Sequence, residues 1–355
     1  MTQESRVPSS LEEFFDKYAE GMKIVTQGAK ADTGQTPKEV IWTKNKAKLY
    51  HYQTETEKKH PVPILLVYAL VNRSYILDLM PGNSFVEYLL GEGFDVYMLD
   101  WGIPGKEDKD LSFENYVLDY MPRAVKKVLR NSGAEEFTLF GYCMGGTMSA
   151  MYASLFPDKP LKNLVLLAAP IDFTPEKSGL YGIWFDEKYQ DPDVIVGTFG
   201  NVPASLAYTG TAMLKPMTNY IGTYVSMWDL IAKDKPLDGY KAMSKWANDP
   251  VPVPGAAYKQ WIEDFNQQNK LVKGEMMLRG RRVDLSNITC PVLNLAGEKD
   301  HLVYRPQAEA TMDLIGSEDK EFVVLDAGHV GLVMGRGAKK DLWPQVSNWL
   351  EPRSE

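Results

Sequence analysis

The sequence predicts an α/β protein with a mostly parallel sheet and helices on both of its faces. From about residue 38 onward, short and almost wholly apolar runs alternate with stretches that repeat apolar residues at helical spacing. A strand that is covered on both faces needs such a continuous apolar run, and its alternation with helices is typical of parallel βαβ units. The predicted strands are residues 62–68, 94–99, 137–140, 164–168, 291–296 and 322–325, and the predicted helices are residues 117–129, 144–155 and 342–350.

The alternation is interrupted between residues 172 and 288. This segment holds four of the eight tryptophans, many prolines and no clear series of strands. Because the strands resume afterwards, we interpret it as a cap inserted over the C-terminal edge of the sheet, where open α/β sheets place their ligand sites. Residues 37–171 and 289–355 would then form the core. A second domain placed elsewhere is the alternative.

Residues 1–36 form a predicted helical segment that is separate from this core. Apolar residues recur at helical spacing between Leu11 and Val25, and residues 28–37 have the composition of a linker. The opposite face mixes acidic and basic residues, a combination that an anionic membrane surface would not attract. We therefore expect this helix to dock on the rest of the chain or on a partner.

Charge and composition argue against several classes of protein. The net charge of −8 disfavours a nucleic-acid partner, since phosphate binding needs a basic surface. No apolar run approaches the roughly 20 residues that span a bilayer, and the polar N-terminus lacks the apolar region of a signal peptide. With only two cysteines, Cys143 and Cys290, no disulfide framework is indicated, and we expect a reduced, cytoplasmic protein.

A nucleophile motif follows the third predicted strand. Residues 141–146 are Gly-Tyr-Cys-Met-Gly-Gly, which is the G-x-S-x-G pattern of a nucleophile elbow with cysteine in place of serine. The nucleophile of this strand–turn–helix motif adopts a strained backbone, and glycines two residues before and after it make room for the turn. The helix N-terminus that follows would favour a thiolate at Cys143. A structural cysteine in a Gly-rich turn is the alternative.

The elbow predicts an acid and then a histidine later in the chain. Of the four histidines, His51 and His60 precede the elbow in a polar stretch typical of a surface loop. His329 follows the last predicted strand and Asp300 follows the strand before it, where an α/β-hydrolase fold places its base and its acid. We therefore predict an α/β-hydrolase fold with an inserted cap, in which Cys143 carries acyl groups, His329 is the base and Asp300 orients it.

Three nearby residues offer alternatives to this triad. His301 adjoins Asp300 and could be the base, although adjacent side chains diverge and seldom point at one target. Asp326, three residues before His329, could be the acid. Cys290 fits a small buried residue better than a second nucleophile.

The predicted oxyanion hole combines two backbone N–H groups. One belongs to Met144, directly after the nucleophile, and the other to Val71, in the loop after the first predicted strand. The stretch Asp100-Trp101-Gly102 at a strand end is interpreted as structural, with a functional role as the alternative. No His or Cys cluster has the spacing of metal ligands. A thioester on cysteine stays activated toward an alcohol or water, so residue chemistry alone leaves the acyl acceptor open.

Motifs over most of residues 37–352 resemble those of the polyhydroxyalkanoate synthases. The short length and the stretch 36–46 are similar to the two-subunit synthases of class IV (the Bacillus type) or class III. Besides the elbow at 141–146, the motifs are VYALVN at 67–72, DVYMLDWG at 95–102, QWIEDF at 260–265, NKLVKGE at 269–275 and GEKDHL at 297–302.

The resemblance implies that (R)-3-hydroxyacyl-CoA, chiefly 3-hydroxybutyryl-CoA, is polymerised with release of CoA and without a cofactor. Cys143 would hold the growing chain, His329 would activate the thiol and the hydroxyl, and Asp300 would support His329. It also implies a small accessory subunit (PhaR-like or PhaE-like), a homodimer within the complex, and residence on polyester granules in the cytoplasm.

Two other functions compete with this one. A thioesterase, depolymerase or lactone hydrolase would use the same triad and pass the acyl group to water. A granule-coat protein would keep the fold without catalysis, but the presence of Cys143, Asp300 and His329 argues against it.

Overall fold

The computed structural model describes residues 11–355 and contains one eight-stranded sheet. Six of its strands contain the predicted apolar runs, with ends that differ by a few residues. Two more strands, not predicted individually, precede them in the chain. In chain order the strands are β1 (Lys38–Lys44), β2 (Ala47–Tyr52), β3 (Ile64–Val67), β4 (Val96–Asp100), β5 (Phe137–Tyr142), β6 (Leu161–Leu167), β7 (Val292–Gly297) and β8 (Lys320–Leu325).

The sheet is parallel except at one edge. Its order is β1-β2-β4-β3-β5-β6-β7-β8, and all neighbours from β4 to β8 are parallel. β1 pairs with β2, and β2 with β4, in antiparallel register. Because parallel strands end at the same edge, the loops after β5, β7 and β8 lie together, and these loops hold Cys143, Asp300 and His329. The predicted mostly parallel α/β architecture is confirmed.

Helices cover both faces of the sheet. Every residue of β3 and β5 is buried, which requires cover on each side. The helix after Cys143 has the predicted bounds and is buried along its whole length. The α-helices are α1 (Leu11–Gln27), α2 (Phe85–Gly91), α3 (Met121–Ser132), α4 (Met144–Leu155), α5 (Gly179–Trp184), α6 (Pro192–Phe199), α7 (Ala204–Ala212), α8 (Thr223–Ala232), α9 (Asp238–Ala247), α10 (Gly255–Gln260), α11 (Arg305–Glu309), α12 (Thr311–Leu314), α13 (Gly335–Gly337) and α14 (Trp343–Leu350).

The chain between β6 and β7 forms a mainly helical layer. It contains α5 to α10 and one short hairpin, Met277–Leu278 with Arg281–Arg282, and none of its described strands joins the main sheet. This stretch corresponds to residues 172–288, which the sequence analysis assigned to an insertion.

Helix α1 packs against helix α8 of the insertion. A side chain at Gly21 would collide with the ring of Trp228, and Tyr18 stacks on the same ring at a centroid distance of 5.6 Å. Ile24 is buried against Met227 of α8. Helix α1 therefore docks on the insertion of its own chain. The first ten residues of the predicted N-terminal segment and the side chains of its apolar positions 11 and 14 lie outside the described residues.

The prediction that His51 and His60 lie in a surface loop was wrong. His51 is on β2, where its ring stacks on Tyr97 at 4.4 Å and its Nε2 lies 2.8 Å from Asp95 Oδ1. His60 is buried and stacks on Phe94 at 4.1 Å. The sequence pattern of the β1–β2 hairpin is weak, because one face of an edge hairpin contacts water and long-range partners cover the other.

Candidate active site

Cys143 occupies the sharp turn between β5 and α4. Its backbone has φ +57° and ψ −131°, a conformation that costs a residue with a side chain about 1–3 kcal/mol. Hydrogen bonds hold the turn: the Cys143 N–H donates to the Leu167 carbonyl at 2.9 Å, and the Cys143 carbonyl accepts from the Gly146 N–H at 2.8 Å. The half-buried cysteine therefore stands at the N-terminus of α4.

Glycines make room for this turn at the two positions that the motif predicts, and a third glycine, Gly146, lets α4 pack closely on a neighbouring strand end. A methyl group at Gly141 would lie 2.7 Å from the Gly145 carbonyl oxygen, and one at Gly145 would lie 2.8 Å from the Tyr68 carbonyl oxygen. A methyl group at Gly146 would lie 2.5 Å from the Ala169 side chain. The first turn of α4 thus rests directly on the ends of the neighbouring strands.

His329 and Asp300 meet above the ends of β8 and β7. His329 Nδ1 lies 2.6 Å from Asp300 Oδ2, and the two residues are 7% and 4% exposed. The other carboxylate oxygen accepts the N–H groups of Leu302 at 2.8 Å and Val303 at 3.0 Å. Because Nδ1 faces the carboxylate, Nε2 is left for the thiol, and the charge of Cys143 acts on His329. The structure therefore brings the three predicted triad residues together.

The electrostatics of the site favour a charged His329. Burial alone would lower its pKa, but the charges of Asp300 and Cys143 and the hydrogen bonds to both outweigh burial and raise the pKa of His329 to about 10. Burial likewise opposes ionisation of Asp300, yet the charge and hydrogen bond of His329, with the two backbone N–H groups, hold the Asp300 pKa below its ordinary value. At neutral pH His329 is therefore an imidazolium beside the Asp300 carboxylate.

Three tyrosines that the sequence did not single out surround this group. Tyr142 donates its hydroxyl to the His329 carbonyl at 2.9 Å and stacks on the imidazole at 5.0 Å. Burial, and then the neighbouring charge of Cys143, raises the pKa of Tyr68. The same causes raise the pKa of Tyr181, on α5 of the insertion, to about 12. Tyr142 is the variable position of the elbow motif, but no local pattern marks Tyr181.

The alternative residues have other surroundings. Asp326 is largely exposed and forms an ion pair with Lys299 at 2.7 Å. His301 is half-buried, and its Nδ1 has no hydrogen-bond partner within residues 11–355. Burial raises the pKa of Cys290 to about 12, which leaves it a poor nucleophile. The geometry thus favours His329 as base and Asp300 as acid.

The two predicted oxyanion donors lie on elements that contact each other. Met144 is the first residue of α4, where backbone N–H groups have no acceptor within the helix. Val71 is half-buried in the loop that joins β3 to the 3-10 helix Ser74–Leu77. That loop begins at Tyr68, on which Gly145 of α4 rests. The pairing of these two N–H groups in an oxyanion hole stays a prediction.

Two kinds of feature are absent from the part of the chain that the structure describes. Within residues 11–355 no group of three or more His, Cys, Asp or Glu side chains is arranged to hold a metal ion. Over the same residues, no helix combines the length and apolarity needed to cross a bilayer.

Several known sequences are similar to this chain. Residues 62–335 match the family described as alpha/beta hydrolase fold, and residues 26–89 match the one described as Poly-beta-hydroxybutyrate polymerase (PhaC) N-terminus. Three relatives are each described as a poly(3-hydroxyalkanoate) polymerase subunit PhaC. The Haloferax mediterranei protein is 42% identical over 92% of this chain and 66% of its own length. The Synechocystis sp. protein is 39% identical over 96% and 92%, and the Allochromatium vinosum protein 36% over 95% and 94%.

Solved structures resemble the fold at much lower identity. A soluble variant of monoglyceride lipase from Saccharomyces cerevisiae has a TM-score of 0.59 at 15% identity, covering 92% of this chain and 98% of the lipase. A putative lipase from Sulfolobus solfataricus has a TM-score of 0.55 at 16% identity, covering 92% and 99%. The predicted α/β-hydrolase fold is confirmed.

Proposed function

The chain belongs to the poly(3-hydroxyalkanoate) polymerase (PhaC) family, and from this membership we propose that it polymerises (R)-3-hydroxyacyl-CoA, chiefly 3-hydroxybutyryl-CoA, on Cys143. The observation that carries the proposal is the placement of Cys143 on a nucleophile elbow beside the buried, hydrogen-bonded pair of His329 and Asp300. A nucleophile, a base and a group that orients the base are the parts that covalent acyl transfer needs.

In the first half-reaction the Cys143 thiolate attacks the thioester carbonyl. A C–S bond to Cys143 forms, the C–S bond to CoA breaks, and the CoA thiolate takes the proton of the His329 imidazolium. The oxyanion of the tetrahedral intermediate is stabilised by the N–H groups of Met144 and Val71. One thioester replaces another at little cost, so the acyl group stays activated on the enzyme.

In the second half-reaction the hydroxyl of an incoming hydroxyacyl-CoA attacks the acyl-enzyme. Its proton passes to His329, the new ester bond forms, and the Cys143 thiolate leaves. The extended chain is now a CoA thioester that acylates Cys143 again and releases CoA. The charge of Cys143 helps to raise the His329 pKa, so acylation removes that contribution and frees the imidazole to accept a proton.

We assign residues 172–288 the role of a cap that keeps water from the acyl-enzyme. Helix α5 of this segment carries the half-buried Tyr181, on which the charge of Cys143 acts. A site closed in this way favours a hydroxyl delivered by substrate over bulk water. A hydrolase with the same triad would differ in the acceptor alone.

We further propose that the chain acts with a small accessory subunit, as a homodimer within the complex, at the surface of cytoplasmic polyester granules. Relatives at 42% and 39% identity are described as subunits of a polymerase. Apolar side chains are also exposed on α1 and α8, where Met22, Val25, Tyr224 and Val225 are between 37% and 61% exposed. Exposed apolar surface of this kind favours contact with a protein or a polymer.

The deciding experiment supplies 3-hydroxybutyryl-CoA to the purified chain together with its accessory subunit. Released CoA and the form of the acyl product are both measured. Insoluble polyester supports the proposal, whereas free 3-hydroxybutyrate in step with CoA would replace it with a hydrolase. CoA release that persists in Cys143→Ala would overturn the assignment of the nucleophile.

A further inference from the structure

The loop that carries the candidate oxyanion donor Val71, here called the oxyanion loop (residues 68–74), is fastened to the sheet at both of its ends. The indole Nε1–H of Trp101 donates to the Tyr68 carbonyl at 2.8 Å. At the other end the Ser74 hydroxyl donates to the Asp100 carboxylate. The stretch after β4 that the sequence analysis interpreted as structural therefore holds the two ends of this loop.

The middle of the oxyanion loop is held by the insertion instead. The indole Nε1–H of Trp246 donates to the Arg73 carbonyl at 2.8 Å, and the Val251 N–H donates to the Val71 carbonyl at 3.4 Å. Between these two donors, Asp249 accepts a hydrogen bond from the Tyr75 hydroxyl at 3.0 Å. Residues 246–251 of the insertion thus line one side of the loop.

These contacts determine the direction of the peptide that bears the donor. In a trans peptide unit the C=O and the following N–H point in opposite directions. The bond from Trp101 fixes the unit between Tyr68 and Ala69, and the bond from Val251 fixes the unit between Val71 and Asn72. The Ala69–Leu70 and Leu70–Val71 peptides lie between these two units, so the sheet and the insertion together restrict the direction of the Val71 N–H.

The helix that carries Trp246 is itself held in place by the N-terminal segment. On α9, Lys245 Nζ donates to the Ala31 carbonyl at 2.9 Å and to Thr33 Oγ1 at 3.1 Å. Lys241 Nζ, one turn earlier, lies 2.8 Å from Glu20 Oε1 of α1. Helix α9 is therefore bonded both to the oxyanion loop and to the N-terminal segment.

We propose that Trp246 and Val251 of the insertion are positioning residues for acyl transfer, which hold the oxyanion loop so that the Val71 N–H meets the developing oxyanion. The proposal rests on the proposed function, because the oxyanion arises only when Cys143 attacks a thioester carbonyl. The insertion then has a second role besides covering the site, because its position determines whether the oxyanion hole is complete.

The test compares two tryptophans that differ in one respect. Trp246 and Trp349 are 7% and 5% exposed, and each loses the same ring volume on replacement by phenylalanine. The Trp349 Nε1–H is buried and has no hydrogen-bond partner in the described part of the chain, whereas the Trp246 Nε1–H bonds the oxyanion loop. Trp246→Phe therefore removes a contact to the loop, and Trp349→Phe controls for the smaller ring.

Three readouts separate positioning from a general structural effect. We expect Trp246→Phe to lower kcat for CoA release about 10- to 100-fold, since misplacing an oxyanion donor has effects of this order, with KM within about twofold. Alkylation of Cys143 by iodoacetamide passes through no oxyanion, so its rate should be unchanged. Trp349→Phe should retain the parental kcat.

A kcat for Trp246→Phe equal to that of Trp349→Phe would overturn the proposal, as would alkylation that slows in step with kcat. If Trp246→Phe does not fold, the test uses Tyr75→Phe, which removes only the hydroxyl that bonds Asp249. A several-fold lower kcat of Tyr75→Phe supports the proposal, and an unchanged kcat refutes it. If the proposed function itself is wrong, alkylation by iodoacetamide leaves the activity of the parental protein intact, which distinguishes that failure from failure of the positioning proposal.

Discussion

Replacing Asp300 with asparagine keeps the shape of this buried side chain and reverses the polarity of one hydrogen bond. Asp300 Oδ1 accepts two backbone N–H groups, from Leu302 and Val303, and Oδ2 faces His329 Nδ1 at 2.6 Å. In Asp300→Asn the amide oxygen must stay on the backbone side, because the opposite orientation would point the NH₂ group at two N–H donors. The NH₂ group therefore faces Nδ1 and converts it into an acceptor.

The size of the effect follows from these contacts. Turning the amide over would leave two buried backbone donors unpaired, at about 1–3 kcal/mol each, so the imidazole adopts the tautomer that carries its proton on Nε2. The loss of the carboxylate also removes a group that stabilises the imidazolium. The pKa of His329 is raised from 6.5 to about 10, so all causes together stabilise the imidazolium by about 5 kcal/mol. A base in the wrong tautomer costs on the order of 10⁴ in turnover.

The assay follows CoA release in the first turnover and at steady state. A thiol ionises without a base more readily than an alcohol, so acylation of Cys143 in Asp300→Asn should survive in part while later turnovers fail. The control is Asp326→Asn, since Asp326 pairs with Lys299 on the surface. The reasoning is refuted if Asp300→Asn keeps steady-state turnover within about tenfold of the parent, or if Asp326→Asn loses more.

Cys143→Ala should lower the rate of acyl transfer by on the order of 10⁶ and leave the circular dichroism spectrum unchanged. Mass spectrometry should find iodoacetamide on Cys143 and not on Cys290, because burial raises the pKa of Cys290 to about 12. Activity loss should be far greater for His329→Gln than for His301→Gln, and equal losses would undo the choice of base. Because folding raises the pKa of His329 from 6.5 to about 10, the stability it contributes is complete below about pH 6.5 and is lost as the pH rises to about 10. The melting temperatures of the parent and His329→Gln should converge over that range, and a constant gap would contradict the raised pKa. With 3-hydroxybutyryl-CoA, the chain alone should show low activity and a lag that the accessory subunit shortens. If a chain lacking residues 1–36 responds equally to that subunit, helix α1 is not the contact. Full activity of the isolated chain without a lag would refute the need for the accessory subunit.

The alternation of the strands and the elbow could be predicted from the sequence, because both follow from short-range requirements. A strand buried on two faces must be apolar throughout, and the turn at Cys143 with φ +57° leaves no space for side chains at Gly141 and Gly145. The order of nucleophile, acid and base along the chain follows from the parallel sheet, which brings the strand ends to one edge. These constraints led to the fold, and the resemblance of the sequence motifs led to the family; both are confirmed.

The surroundings of the predicted site were decided by the tertiary structure alone. Which carboxylate faces His329 depends on how two separate loops meet, and it is Asp300, 29 residues away, rather than the nearer Asp326. Trp246 bonds a loop residue 173 positions earlier in the chain, and the charge of Cys143 acts on Tyr181 of the insertion. Periodicity and turn chemistry report on neighbours within a few residues, whereas contacts of this range exist only after the insertion has packed on the sheet.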